Sequence, residues 1–197
     1  MSLGPDYFRA QYADDPDPWG FRSRWYERRK YAITLAALTR PRYRRAFEPG
    51  CSVGVLTAGL AERCDHVLAW DLDATARAQA EAHAPDNVTV AEGRVPRDWP
   101  DGELDLIVLS EVGYYLDRPE LLRLVGRCTD SLAADGELVL VHWRHPVTDY
   151  PTDGDTVHAA FLAGSPLHRQ ASHLEPDFRL DLLTRRPESV AAAEGLC

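Results

Sequence analysis

Ala46-Phe47-Glu48-Pro49-Gly50-Cys51-Ser52-Val53-Gly54, running on into Val55-Leu56-Thr57-Ala58-Gly59-Leu60-Ala61, decides how the rest of this 197-residue chain is read. A short apolar strand, Ala46 to Glu48, ends at a turn holding two glycines and opens at once into a helix-period run from Gly54 to Arg63. Such a turn presents bare backbone N–H groups and the positive end of a helix to whatever lies above it. It is a place built to hold a ligand.

Downstream, strands and helices alternate. His66 to Asp71 reads as a second strand, Ala74 to His83 as a helix, Val88 to Glu92 as a third strand and Leu104 to Ser110 as a fourth. Pro119 opens a helix that runs over Leu121 to Leu132, and Glu137 to His142 forms strand five after the turn Asp135-Gly136. Nearly continuous apolar strands separated by helices make a parallel sheet covered on both faces. Only Pro96-Arg97-Asp98-Trp99-Pro100-Asp101-Gly102 stands between strands three and four, so that crossover is a loop. After a short helix near Asp155 to Leu162, Glu175-Pro176-Asp177 links two strands, Leu167 to Leu174 and Phe178 to Thr184. So short a link permits an antiparallel hairpin at the sheet edge and excludes a parallel crossover. The expectation is one α/β domain over 1–197, a doubly wound Rossmann-like sheet of about seven strands, mostly parallel with an antiparallel C-terminal edge hairpin. Residues 1–40 form a helical lid, 45–145 a cofactor-binding core, and 146–186 the C-terminal helix and hairpin.

Upstream, two prolines and a glycine in Asp15-Pro16-Asp17-Pro18-Trp19-Gly20-Phe21 force a turn between a first helix and a longer one beginning near Arg22. In the second helix Trp25, Tyr26, Arg29, Ile33 and Leu38 recur at helical spacing, as a packed face would. The rigid turn suits a lid over a pocket. The balance of charges, -9, sets the whole chain against nucleic acid, which needs a basic face to neutralise phosphates. The longest apolar runs fall short of a membrane span, and no apolar leader follows Met1, so a soluble cytoplasmic protein is expected, monomer or homodimer. Cys51, Cys64, Cys128 and Cys197 lie far apart without metal-ligand spacing and are read as reduced thiols.

The glycine turn admits several chemistries. A dinucleotide turn would be G-x-G-x-x-G and a phosphate loop would carry Gly-Lys-Ser/Thr; neither is spelled here. Gly50-Cys51-Ser52-Val53-Gly54 does spell G-x-S-x-G, the nucleophile elbow of α/β-hydrolases, but that elbow follows several earlier strands, and the region before Glu48 reads as helix. The remaining pattern, an acid at Glu48, then Gly50 and Gly54 with Ser52 at the central position, resembles motif I of class I S-adenosylmethionine-dependent methyltransferases. There the methionine part lies against bare backbone and Glu48 meets its ammonium group directly or through water.

Asp71 ends strand two and is placed to accept both hydroxyls of a ribose, which points to an adenosine but not to a methyl donor as such. Asp73 reads as the N-cap of the next helix, and Trp70 or Leu72 as the apolar neighbour of the adenine. Arg94 stands where this class carries an acid after strand three, leaving the adenine to backbone groups of Arg94 and Val95. Strand four ends in Ser110-Glu111-Val112-Gly113-Tyr114-Tyr115-Leu116, and strand ends are where open α/β sheets bind ligands. Ser110, Glu111 and Tyr114 are expected where donor meets acceptor.

Tyr7-Phe8, Asp15 to Phe21, Trp25-Tyr26-Glu27-Arg28-Arg29-Lys30-Tyr31, Glu48 to Thr57 and Ser110 to Leu116 together resemble the NodS-like S-adenosylmethionine methyltransferases. The resemblance spans residues 5 to 185. It implies S-adenosylmethionine as cofactor, S-adenosylhomocysteine as product, and a helical lid with Trp19, Arg24 and Tyr31, joined by Tyr114 and Tyr115, against the acceptor. The implied reaction is methyl transfer to a small molecule, an amine or hydroxyl of a sugar or secondary metabolite; a non-catalytic S-adenosyl-ligand binder is the alternative. An amine must arrive neutral, so Glu111, His142 and His145 are the candidate proton acceptors. His142 and His145 lack a third ligand at a recognisable spacing, and no metal is assigned. His158, His168 and His173 read as surface or hairpin residues.

Overall fold

A computed structural model describes residues 1–197. Helices α1 (Pro5–Asp14) and α2 (Trp25–Ala37) precede strand β1 (Tyr43–Pro49), followed by α3 (Val55–Ala61), β2 (Cys64–Asp71), α4 (Ala74–Ala82), β3 (Val88–Glu92) and β4 (Leu104–Ser110). A single 3-10 turn over Gly113–Tyr115 leads to α5 (Arg118–Ser131), β5 (Leu132–Trp143), α6 (Gly154–Gly164), the hairpin β6 (His168–Leu174) and β7 (Phe178–Thr184), and a last short helix α7 (Val190–Ala193). The sheet order is β3-β2-β1-β4-β5-β7-β6, parallel from β3 to β5 and antiparallel where β7 meets β5 and β6. The expected doubly wound Rossmann-like sheet with its antiparallel edge hairpin is present.

The strand sequences explain the layers. Leu104, Leu106, Ile107, Val108 and Leu109 of β4 are fully buried, because helices cover both faces of a central parallel strand. Phe47, Ile107, Leu109, Leu138 and Leu140 point into the core under α5 and α6; Ala46, Val67, Leu106, Val108 and Val139 point into the core beneath α2 and α3. Each buried leucine or phenylalanine contributes about 1.5–3 kcal/mol relative to exposure. Asp105 interrupts the apolar run of β4, and its carboxylate accepts the Arg44 and Arg45 backbone N–H groups at 2.8 and 2.7 Å. A side chain thus completes the β1–β4 pairing, whose ladder is limited to Ala46–Leu106 and Phe47–Ile107.

Several boundaries differ from expectation, and three of them have a visible cause or consequence. Helix α3 stops at Ala61 rather than Arg63, since the Asn87 side chain binds both the Ala61 and Cys64 carbonyls at 2.9 Å and pins the following turn. Asp135-Gly136 is not a turn before strand five; β5 starts at Leu132, which already pairs Leu104, and these residues sit in the register shift before Leu106–Glu137. Helix α2 begins at Trp25, and its buried residues are polar: Glu27, Lys30 and Thr34, while Trp25 is 69% exposed. Of the residues at helical spacing, Tyr26, Ile33 and Leu38 do pack against the core, and Trp25 is the one that turns outward. No helix is long and apolar enough to cross a membrane.

Candidate functional site

At the carboxyl ends of β1, β2 and β4 the chain turns away from the sheet, and these turns, with the N-terminal helices, line a cleft. The turn after β1 is set by Gly50 and Gly54, both with positive φ, at +74° and +80°. At Gly50, which lines the cleft, a Cβ would stand 2.5 Å from Val112. At Gly54 it would meet Ala80 of α4 at 3.1 Å, so this glycine permits helix-on-turn packing and does not itself border the cleft. That corrects its expected place against the ligand.

Glu48 lines the cleft yet is 2% exposed, and its one hydrogen bond comes from the Thr57 hydroxyl at 2.6 Å. Burial without a cation beside it pushes its carboxyl up to about 8, with Asp71 adding to the shift. Asp71 accepts the Ser52 and Asp73 backbone N–H groups at 2.9 Å each, which fixes its carboxylate at the cleft wall; burial raises it as well. Asp73 is the N-cap of α4, accepting from Thr75 at 2.8 Å and Ala76 at 3.1 Å. Leu72, Arg94, Val95 and Ser110 border the same cleft. Trp70 does not; its ring turns back onto Phe47, 5.0 Å between centroids.

Glu111 and Ser52 are the two non-glycine residues with positive φ, at +59° and +50°, and both border the cleft. Such backbones cost on the order of 1–3 kcal/mol each and persist where surroundings enforce them. For Glu111 the enforcement is visible: its carboxylate accepts from Lys30 Nζ at 2.5 Å, from the Tyr114 hydroxyl at 2.5 Å and from the Trp143 N–H at 2.9 Å. For Ser52, the hydroxyl pairs with Tyr12 of α1 and not with any histidine. A nucleophilic serine needs an adjacent base, so the G-x-S-x-G hydrolase reading has no support in the geometry.

A second cavity of about 530 Å³ adjoins the first. Pro18, Trp19, Arg24, Tyr26, Tyr114, Trp143 and Tyr150 wall it, with Glu27, Lys30 and Asp177. Trp19, Phe21, Glu111 and Tyr115 line both cavities and form the partition between them. Tyr31 faces the first and Arg24 the second. The turn that carries Trp19 is rigid because Asp17 accepts the Phe21 and Arg22 N–H groups at 2.8 and 3.0 Å, while Trp19 packs edge-on against Tyr12. The predicted lid residues are thus brought together, on two sides of one partition.

The expected histidines are not in this site. His142 is fully buried and borders neither cavity. It accepts the Gly113 N–H at Nε2, 3.1 Å, so its Nδ1 carries the proton towards His158 Nε2, also 3.1 Å, and His158 Nδ1 in turn donates to Asp181 at 2.6 Å. Burial pushes both histidines down, keeping them neutral. His158, expected at the surface, is therefore a core residue of α6. His145 lies outside both cavities, half exposed against Asp177 at 2.8 Å. Sequence reasoning also missed Glu27 and Lys30. Their i,i+3 spacing inside Trp25-Tyr26-Glu27-Arg28-Arg29-Lys30-Tyr31 looks like a solvated ion pair, and nothing local shows that it faces inward.

The donor set suits an S-adenosyl ligand: a buried, cation-free carboxylate at Glu48 for an ammonium, Asp71 for a ribose, and Leu72 and Val95 for a base. The family model of Nodulation protein S (NodS) matches residues 6–151. Nodulation protein S of Rhizobium tropici is 32% identical over 127 residues, covering 62% of this chain and 53% of that protein; its Bradyrhizobium diazoefficiens counterpart is 27% identical, covering 74% and 73%. The chain thus spans about half the length of the Rhizobium relative. Among crystal structures, a Pseudomonas syringae protein is 46% identical with a TM-score of 0.73, covering 82% of this chain and 100% of that one. N-methyltransferase NodS from Bradyrhizobium japonicum WM9, solved with S-adenosyl-L-homocysteine, has a TM-score of 0.79 at 21% identity, covering 90% and 96%. With three quarters of its length inside the family match, the chain belongs to the NodS-like family of class I S-adenosylmethionine-dependent methyltransferases.

Proposed function

We propose that this protein transfers the methyl group of S-adenosylmethionine to an amine nitrogen of a small molecule, a sugar or secondary metabolite. The observation that carries the reading is the shared partition: one cavity suits an S-adenosyl ligand, the other is walled by aromatic rings and acids, and Glu111 and Tyr115 face both. In the first cavity Glu48 would hold the ammonium group, the backbone at Gly50 the methionine part, Asp71 the ribose, and Leu72, Arg94 and Val95 the adenine. When bound, the cofactor supplies a methyl group already activated by its positive sulfur. The chain has then to orient the acceptor, exclude water and deal with one proton.

Rings at Trp19, Tyr26, Tyr114, Trp143 and Tyr150 offer π faces to a cation or to the apolar face of a sugar. That the Bradyrhizobium japonicum relative is an N-methyltransferase bound to S-adenosyl-L-homocysteine supports the choice of nitrogen. We further propose that the protein acts in the cytoplasm, as monomer or homodimer, without nucleic acid; its net charge of -9 favours this.

Two measurements test the proposal. Calorimetry with S-adenosylhomocysteine should show binding, and none at high micromolar protein would sink the reading. Incubation with S-adenosylmethionine and a panel of small amines and alcohols, followed by mass spectrometry, should give methylated amines. Methylated alcohols alone would move the reaction to oxygen, and no product in either class would favour a non-catalytic binder.

A further inference from the structure

We propose that Glu27 is the proton acceptor of the reaction, and that Lys30 is the clamp that reserves it for this task by tying up Glu111 instead. The inference rests on the amine reading above. Lys30 is 2% exposed and lies between two carboxylates, 2.5 Å from Glu111 and 3.0 Å from Glu27. Its rings are Tyr26 and Tyr31, at 5.1 and 5.9 Å from the ammonium nitrogen. Burial alone would strip its proton, but the two carboxylates outweigh that and hold its pKa above the ordinary lysine value. One cation facing two carboxylates leaves one negative charge unbalanced at the cavity wall.

That charge belongs to Glu27. Glu111 already accepts three hydrogen bonds, whereas Glu27 Oε2 has no hydrogen-bond partner, Lys30 standing beside it off the bonding line. A buried carboxylate whose one neighbour is an ion-pair partner, in a residue that lines a ligand cavity, is costly unless further partners complete it. Every charged or titratable group facing Glu27 can be named. Lys30 is a buried neighbour and Glu111 a half-buried one; Arg24 and Asp177 stand at the solvent rim with opposite signs; Tyr26, Tyr31, Tyr114 and Tyr150 complete the surroundings. Burial raises Glu27 above the ordinary carboxylate range, Lys30 drawing it part of the way back. A base moved towards neutrality is the better proton acceptor near neutral pH.

The step balances as follows. An acceptor entering as an ammonium ion gives one N–H proton to Glu27. The freed lone pair forms the new C–N bond while the methyl–sulfur bond breaks, its electron pair staying on sulfur. Positive charge thus passes from sulfur to the methylated nitrogen, and Glu27 later releases its proton to water.

The test is the pH profile of kcat/KM for glucosamine and benzylamine, from about pH 6 to about pH 10, for wild type, Glu27→Gln and Glu27→Asp. Losing a general base costs about 100-fold or more. Glu27→Gln should lose that much near neutrality and regain activity as the amine deprotonates in solution; S-adenosylhomocysteine affinity should be unchanged. Glu27→Asp, which keeps a carboxylate, should keep the wild-type profile shape at a reduced rate. A Glu27→Gln profile parallel to wild type overturns the proposal, as does a pH-independent loss accompanied by lost S-adenosylhomocysteine binding, which would make Glu27 a packing residue. If wild type methylates no amine but does methylate alcohols, the amine reading fails and takes the role of Glu27 with it.

Discussion

Binding of an S-adenosyl ligand should expel a proton from Glu48. In the free protein this carboxyl is 2% exposed, its only hydrogen bond comes from Thr57, and its pKa lies near 8 against an ordinary 4.5. At pH 7, one unit below, about nine in ten molecules carry the proton, and ionising them takes about 1.4 kcal/mol. An ammonium group arriving beside Glu48 reverses the preference, because an opposite charge at close range favours the carboxylate. Each binding event at pH 7 therefore releases about 0.9 proton, and affinity rises about tenfold per pH unit below 8 before levelling off. Calorimetry with S-adenosylhomocysteine in buffers of differing ionisation enthalpy reads the proton count directly. Glu48→Gln should abolish the release and weaken binding. Zero release by wild type together with an affinity flat from about pH 6 to about pH 9 would refute the reasoning, since a buried neutral acid could not then be what meets the ligand.

Two further perturbations probe the scaffold. Gly54→Ala should destabilise by about 1–3 kcal/mol in urea unfolding, through its positive φ and the contact with Ala80, while S-adenosylhomocysteine affinity in the folded fraction stays within a few-fold. For the buried histidines the sign runs from the depressed folded values: above the ordinary 6.5 both states are neutral, and as pH falls below it the unfolded chain takes up protons that His142 and His158 refuse. Stability is thus complete above 6.5 and lost as pH falls, by about 1.4 kcal/mol per histidine per unit, whereas Glu48 works in the opposite direction. His142→Asn should therefore lower stability at pH 7.5 by about 1–3 kcal/mol and flatten the acid limb relative to wild type.

The sheet was legible because its signals are local. Apolar strand runs, the Asp73 cap, the Glu175-Pro176-Asp177 link and the two glycines of the turn each act within a few residues. That Glu48, Asp71 and Ser110 share one cavity was legible for the same reason, since they sit at strand ends that the pattern marks. What escaped depends on contacts across the chain. Lys30 reaches Glu111 over 81 positions and His158 reaches Asp181 over 23, and neither pairing leaves a trace in the spacing of its own helix. Helix α2 misled in addition because its inward face is partly ionic: Glu27 and Lys30 are buried beside Tyr26 while Trp25 is exposed, and hydrophobic periodicity alone does not mark the two charges. His142 misled for a third reason, because a residue at a strand's carboxyl end can still point down into a layer of helices.

The partition of Trp19, Phe21, Glu111 and Tyr115 divides the protein into halves with different freedom to diverge. On one side the ends of core strands at Glu48, Asp71 and Ser110 share the wall with Tyr12 and Tyr31 of the N-terminal helices, and changing the strand ends disturbs the sheet. On the other they are Pro18, Arg24, Tyr26, Val147, Tyr150 and Asp177, which come from the N-terminal segment and from the connections around β5 and β7. Substitutions there alter the chemistry of the second cavity while leaving β1, β2 and β4 untouched. If the second cavity takes the acceptor, as proposed, libraries confined to those six positions should change which product is methylated while the donor stays the same.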